Sequence, residues 1–500
     1  MAIKKAKPKG TNPCLGRQAF NPFLPGNEYI PDGEPRLFGD RVYLYGSHDR
    51  FGAPFFCVND YVCWSASAED LRHWRYEGVI YRKKADPWNR LGLRLLFAPD
   101  VVQGRDGRYY LYYAFDFMGV MGVAVSDTPC GAFRFYGHVR YPGGAVWGRR
   151  KGDSFPFDPG VLVDDDGRVY LYSGFYCRVP AIATGGRRLR FEGGYVLELE
   201  QDMVTIKRPQ RLLFPKKGPG SFRNHEFFEA SSIRKYEGKY YFVYSSRRNH
   251  ELCYAVSDSP TEGFVYGGTL VSNGDIRGDG PPGSKRAEAA RADNYMGNNH
   301  GGMLALKGDY YIFYHRHTNQ SSYSRQACAE KLSRNPDGSF RQAEMTSCGL
   351  NGGPLAGKGQ YEARIACSLR TRDGTGRYDG WNPRGRLKGH PYFTQDKKEG
   401  NPDARQYIAH MGDEATAGFK YFRLENLKRI KATLRGRAEG CLWIYGDDAC
   451  RQVLARIPVQ SRDSAWKAFY GEAKAPEGIS PLYFVYRGRG QVDFLDFTLE

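Results

Sequence analysis

The sequence has no uninterrupted apolar run of about 18 residues, and its mean hydropathy is clearly negative, so a membrane-spanning helix is not supported and no membrane partner is expected. There is no Cys-x-x-Cys pair, and the 11 cysteines, an odd number, are scattered along the chain. That usage excludes a regular disulfide framework or zinc ribbon and leads us to expect reduced, packed thiols in a cytoplasmic protein. No phosphate-binding G-x-x-x-x-G-K-[ST], metalloprotease H-E-x-x-H or nucleophile-elbow G-x-S-x-G stands in a persuasive context. The first ten residues are basic but lack an apolar segment behind them, so export by a signal peptide is not expected.

Positive charge, by contrast, is in excess: 73 Lys and Arg against 55 Asp and Glu give a formal net charge of +18. Such a balance raises the possibility of a scaffold for nucleic acid. The basic residues, however, come in dispersed pairs such as Arg149-Arg150, Lys216-Lys217 and Arg247-Arg248, with no single stripe. The favoured reading is a solvated surface without a nucleic-acid partner. Aromatics are also plentiful, with 36 Tyr and 30 Phe, as suits an all-β chain.

Those aromatics are periodic. Asp32 precedes a turn and the strand Val42-Tyr43-Leu44-Tyr45; Asp100 precedes Tyr109-Tyr110-Leu111-Tyr112; Asp158 precedes Val169-Tyr170-Leu171-Tyr172. Glu229 stands ahead of Tyr240-Tyr241-Phe242-Val243-Tyr244 and His300 ahead of Tyr310-Tyr311-Ile312-Phe313-Tyr314. The ionisable residues lie 68, 58, 71 and 71 residues apart, enough for one four-stranded sheet with loops each time. Five such copies predict a five-bladed β-propeller. A second repeat, Ser126-Asp127-Thr128-Pro129 and Ser257-Asp258-Ser259-Pro260, marks outer corners of blades.

The expected organisation is all-β: a basic lead-in over residues 1–20, the propeller over 21–347, a glycine-rich linker over 348–359, and a jelly-roll-like β-sandwich over 360–500. The sandwich is read from short alternating runs such as Cys441-Leu442-Trp443-Ile444-Tyr445, which show no helical period. The polar stretch from Gly274 to Asn298 is expected to loop over the propeller mouth.

The innermost strand of each blade lines the central channel, so one register would bring Asp32, Asp100, Asp158, Glu229 and His300 to one opening. Carboxyls gathered in a concavity must spread their pKa values, and a protonated acid opposite an ionised base is what glycosidic cleavage requires. Taken singly, Asp32 and Asp158 read equally as turn residues; the shared register favours function. Glu229, beside Phe227 and Phe228, is the candidate acid, because apolar surroundings raise a carboxyl pKa. Asp100 either binds sugar hydroxyls or braces the ring. His300 is a cation ligand, a hydrogen-bond partner of the carboxylates, or simply a satisfied polar residue. Arg316 and Arg325 are candidates to donate to a sugar or to orient Glu229. The tyrosine ladders read as core.

At these residues the chain resembles glycoside hydrolase family 43 over roughly residues 20 to 345. The resemblance rests on Asn21-Pro22-Phe23-Leu24-Pro25-Gly26 ahead of Asp32, Ala98-Pro99-Asp100-Val101, Phe157-Asp158-Pro159-Gly160, Glu229-Ala230-Ser231-Ser232, and the His300 segment. It implies an inverting enzyme with Asp32 as general base, Asp158 as the residue that orients and tunes the acid, and Glu229 as general acid. It implies no cofactor for the chemistry and a structural calcium or other cation beside His300. Phe97 stands where the family usually has Trp and reads as a substrate contact. The tail resembles a family 6 carbohydrate-binding module through Ala415-Thr416-Ala417-Gly418-Phe419-Lys420-Tyr421-Phe422.

The expected activity is exo-acting removal of an α-L-arabinofuranosyl or β-D-xylosyl unit from plant-derived oligosaccharides. The alternatives are a β-D-galactofuranosidase or a non-catalytic carbohydrate-binding propeller.

Overall fold

A computed structural model describes residues 18–277, 285–377, 389–397, 401 and 403–500. The basic residues 1–17 of the expected lead-in lie outside the described residues. Four consecutive four-stranded antiparallel sheets span residues 34–81, 96–138, 160–215 and 227–271, and a three-stranded sheet spans 303–332. In each, sequence order is spatial order, so every blade begins at the channel and ends at the rim.

The tyrosines explain how blades adhere. Tyr45, Tyr112 and Tyr172 are fully buried between neighbouring sheets, and a buried phenol still needs a partner for its hydroxyl. Tyr45 donates to the Pro129 carbonyl (2.6 Å) and Tyr172 to the Pro260 carbonyl (2.6 Å), each at the Ser-Asp-x-Pro corner of the next blade. Tyr112 donates to Met203 in blade three, which lacks that corner. The two sequence repeats are therefore the two halves of one inter-blade joint.

Blade five is closed by the chain's beginning. Asn21 is buried, and its side-chain amide donates to the Ala329 carbonyl (3.0 Å) while its amide oxygen accepts from the Ala329 N–H (3.0 Å). A side chain thus supplies the ladder bonds that a further strand would make.

The second domain is a ten-stranded sheet curled around a single core that includes Phe419, Phe484, Phe494 and Phe497. Its long strand Arg429–Tyr445 pairs first with Val492–Leu499 and then with Gly478–Gly490. The change of partner falls near Gly436, whose φ of 129° only glycine adopts readily.

The glycine-rich stretch 348–359 is packed rather than loose: Leu350 joins the core under blades one and five, and Leu355 joins the second domain's core. Polar contacts continue the seam. Asn319 N–H donates to the Phe393 carbonyl (2.7 Å), Tyr29 to Gln395 (2.5 Å), and Lys420 to Asp275 and Glu344. The Gly274–Asn298 connection carries a helix, Lys285–Arg291, and packs against the second domain through Tyr295. Among its described residues, only the last, Asn298, lines the cavity at the mouth.

Candidate active site

Strand pairing fixes the layers of the channel. Glu34 lies opposite Tyr45, Asp100 opposite Tyr112, Gly160 opposite Tyr172 and Ser232 opposite Val243. Gly302 accepts from Phe313 N–H at the equivalent place. Glu34 and Asp100 therefore share one layer, and Asp32, Asp158 and His300 stand one layer nearer the mouth, since alternate residues face the same side.

At the upper layer the backbone turns sharply. Asp32 and Asp158 adopt φ of 58° and 46°, and Ala98 and Ala230 adopt 28° and 68° in blades two and four. A left-handed conformation costs a non-glycine residue free energy, and it persists here because hydrogen bonds hold it. Asp32 N–H donates to His315 Nδ1 (3.3 Å), Ala98 N–H to Ser47 (2.8 Å), and Ala230 N–H to Asp158 Oδ2 (3.1 Å).

The result is a cavity of about 400 Å³ lined by Asp32, Asp158, Glu229, His300, Arg325 and Phe97. Its apolar wall is a phenylalanine cluster in which Phe97, Phe157 and Phe175 pack with centroids 4.8 to 5.7 Å apart. That wall is what desolvates the acids. Burial, aided by repulsion from Asp32 and opposed by His300, pushes Glu229 up to about 7. Burial likewise pushes Asp158 well above the usual carboxylate range, against the pull of His300.

Asp32 has a different setting. Arg325 donates from Nη1 to Asp32 Oδ1 (3.0 Å), and its other donors grip Asp49 through Nε (2.8 Å) and Nη2 (3.0 Å). One guanidinium thus fixes the position of both carboxylates through charge-assisted hydrogen bonds. Burial and the charge of Arg325 hold His315 well below its usual value, hence neutral. Its Nε2 donates to the Asn298 carbonyl (2.8 Å), leaving Nδ1 to accept from Asp32. Glu229 has His250 beside it, Nδ1 to Oε1 being 3.5 Å.

His300 sits between two acids, with Nδ1 3.6 Å from Asp158 and Nε2 3.7 Å from Glu34. Burial opposes its charge, but Glu34, Asp158 and Asp32 outweigh burial and raise it to about 9. Glu34 Oε1 and His300 Nε2 are buried without a hydrogen-bond partner. A cation there would find one carboxylate oxygen and one imidazole nitrogen, and a hard ion of roughly six to eight oxygen ligands would draw the rest from water. Among the described residues, the one cluster of three close metal-binding groups is His225, Glu251 and Cys253, buried in blade four.

Two sequence-derived substrate contacts are corrected. Asp100 is fully buried one layer too deep, and its oxygens accept from Arg36 and from the Val101 (2.8 Å) and Val161 (2.9 Å) N–H groups. It braces the channel and has no oxygen left facing the cavity. Arg316 alternates with His315 and His317 along its strand and points away from the cavity. It donates to the Ala366 carbonyl (3.1 Å) and lies 3.9 Å over Phe393 in the second domain.

Sequence reasoning missed Glu34, Arg36 and Arg234, the charged floor of the channel, in which Arg234 pairs with Glu34 (2.6 Å) and Arg36 with Asp100. The period of two from Asp32 would have found Glu34. Asp49, His250 and His315 carry no such signal.

A desolvated acid and an arginine-paired carboxylate at the mouth of a five-bladed channel define a glycosidase. Residues 21–340 match the model of the glycosyl hydrolases family 43, and the chain belongs to that family. It is 48% identical to a xylosidase/arabinosidase of Thermoclostridium stercorarium over 97% of this chain and 99% of that protein. It is 34% identical to xylosidase/arabinosidase 43A of Humicola insolens over 49% of this chain and 81% of that protein. Among solved structures, a family 43 arabinoxylan arabinofuranohydrolase from Bacillus subtilis aligns over 96% of this chain and 97% of its own, at 20% identity and a TM-score of 0.49.

Proposed function

We propose that the enzyme removes terminal α-L-arabinofuranosyl or β-D-xylosyl units from plant-derived oligosaccharides with inversion at the anomeric carbon. The observation that carries this reading is the pairing of Glu229, held protonated to about 7, with Asp32, held by Arg325, in one cavity. Glu229 would protonate the departing glycosidic oxygen. Asp32 would take a proton from the attacking water on the opposite face of the sugar. Asp158, bonded to the N–H that follows Glu229, would orient the acid, and burial with repulsion from Asp32 would keep Glu229 protonated. A compact cavity with a phenylalanine wall suits one terminal sugar, and the names of the two relatives support arabinose and xylose.

A cation beside Glu34 and His300 would add positive charge beneath Asp158 and would take no part in proton transfer. The second domain, whose sugar-module resemblance suggests binding, would also serve as a buttress for blade five. Ten free cysteines among the described residues support a reducing, cytoplasmic location.

A panel of nitrophenyl α-L-arabinofuranoside, β-D-xylopyranoside and β-D-galactofuranoside tests the reading, with the anomer first released followed by NMR. Turnover of the first two with inverted product is expected. Preference for the galactofuranoside, or retained configuration, would overturn it.

A further inference from the structure

The leaving-group side of the cavity carries a basic rim. Glu229, the residue assigned to protonate the departing oxygen, marks that side. Next to it Phe228 lines the cavity and stacks on Tyr176, with centroids 5.5 Å apart and planes 12° from parallel. Tyr176 N–H also donates to the Phe228 carbonyl (2.8 Å), so the ring is fixed by backbone as well as by stacking. Over the Tyr176 ring lie Lys216 Nζ at 4.7 Å and the Arg247 guanidinium at 5.2 Å. Arg178, two residues beyond Tyr176, is exposed and lines the cavity.

These cations lack anionic partners. Exposed arginines elsewhere pair locally, as Arg72 does with Asp70, Arg108 with Asp106 and Arg211 with Glu262. None of Arg178, Lys216 and Arg247 forms an ion pair with a carboxylate among the described residues. Burial and the neighbouring charges of Arg178 and Lys217 lower the Lys216 ammonium below its usual value, as expected of like charges held together. A net charge of +18 leaves unpaired cations in other places too. What distinguishes these three is their place: Arg178 lines the catalytic cavity, and Lys216 and Arg247 share the ring of Tyr176 two residues before it. The second domain adds Arg377, which also lines the cavity and donates to Asn249 Oδ1 (3.1 Å), the neighbour of His250.

We propose that this rim binds a carboxylate carried by the part of the substrate that leaves, so that the preferred oligosaccharides are acidic ones bearing a uronic acid beyond the scissile bond. Guanidinium groups match a planar carboxylate in geometry as well as charge. The inference rests on the assignment of Glu229 as the acid, which defines the leaving-group side.

The test uses the leaving fragment itself, so that it does not depend on which terminal sugar is cleaved. Calorimetry would compare xylobiose with xylobiose bearing a glucuronic acid substituent on the full-length Glu229→Gln enzyme, which holds either ligand without cleaving it. The acidic ligand is expected to bind about tenfold more tightly at low salt, the scale of one charge-assisted contact. The difference should vanish in the Arg178→Ala, Arg247→Ala double variant and shrink at 0.5 M NaCl, where the Debye length is only about 4 Å. Both residues are exposed, and circular dichroism of the double variant checks that the fold is intact. Equal affinity for the two ligands, or a preference that survives the double substitution, would overturn the proposal. Neither result bears on the turnover of arabinosides and xylosides.

Discussion

Arg325 and Asp32 lie 293 residues apart in sequence yet are joined by a 3.0 Å hydrogen bond between buried groups, one from blade five and one from the entry to blade one. The contact spans the place where the propeller closes its ring, so closure of the fold and placement of the candidate base are one event. Arg325→Lys would keep a charge but lose the fork that grips Asp32 and Asp49 together. Expected is a fall in kcat of at least tenfold with a modest loss of Tm. Arg325→Ala leaves two buried carboxylates without their cation and should cost roughly 3–5 kcal/mol of stability. Steady-state kinetics and denaturant titration check both.

Glu229 sets the alkaline limb of the rate profile. Its carboxyl, raised to about 7, is useful only while protonated, so kcat should fall about tenfold per pH unit above that value. The same shift acts on stability. A carboxyl whose folded value is raised stabilises fully below its unfolded value, near 4.5, and that contribution is lost as pH rises through about 7. Glu229→Gln should abolish the alkaline limb, lower kcat by about 10²–10⁴-fold, and weaken the decline of Tm between pH 5 and 8. A rate that stays level to pH 9 in the wild type would sink the assignment.

Asp100→Asn distinguishes a brace from a substrate contact. The substitution halves the acceptors facing Arg36 and the Val161 N–H, so stability should drop by roughly 1–3 kcal/mol. KM for a nitrophenyl glycoside should change less than twofold. A large rise in KM without loss of stability would restore Asp100 to the substrate.

Asn21→Ala removes the hydrogen bonds that close blade five against the start of the chain, to Ala329 on both its N–H and carbonyl and to Glu330 Oε1 at 2.8 Å. Buried groups left unpaired cost about 1–3 kcal/mol each. The expected outcome is a clear fall in the urea midpoint, read by tyrosine fluorescence.

The number of blades was legible because each blade repeats an aromatic strand at one register, and in the first three the buried tyrosine of that strand, Tyr45, Tyr112 or Tyr172, bonds to the next blade. Asp32, Asp158 and Glu229 were legible for the same reason. The sequence left Asp100 open between sugar contact and brace because its count to the repeating tyrosine, 10 residues against 11 and 12, conceals a step to the layer below that only pairing reveals. Arg316 was misread because three consecutive polar residues on one strand face alternately: His315 and His317 turn to the Asn298 carbonyl, and Arg316 turns to the second domain. The grip of Arg325 on Asp49 left no mark in the sequence, since neither residue belongs to the repeat.

Gly302 stands in the channel layer beneath His300, and a methyl group there would fall 2.4 Å from Glu34 Oε2 and 2.9 Å from Ser232 Oγ. Both atoms are tied to the guanidinium of Arg234 or to each other, so neither can step aside cheaply. The smallest enlargement of this one position, far too deep to touch a sugar, would lever the floor of the channel upward against the imidazole that steadies Asp158. The emptiness of a single side chain is thus a condition for activity.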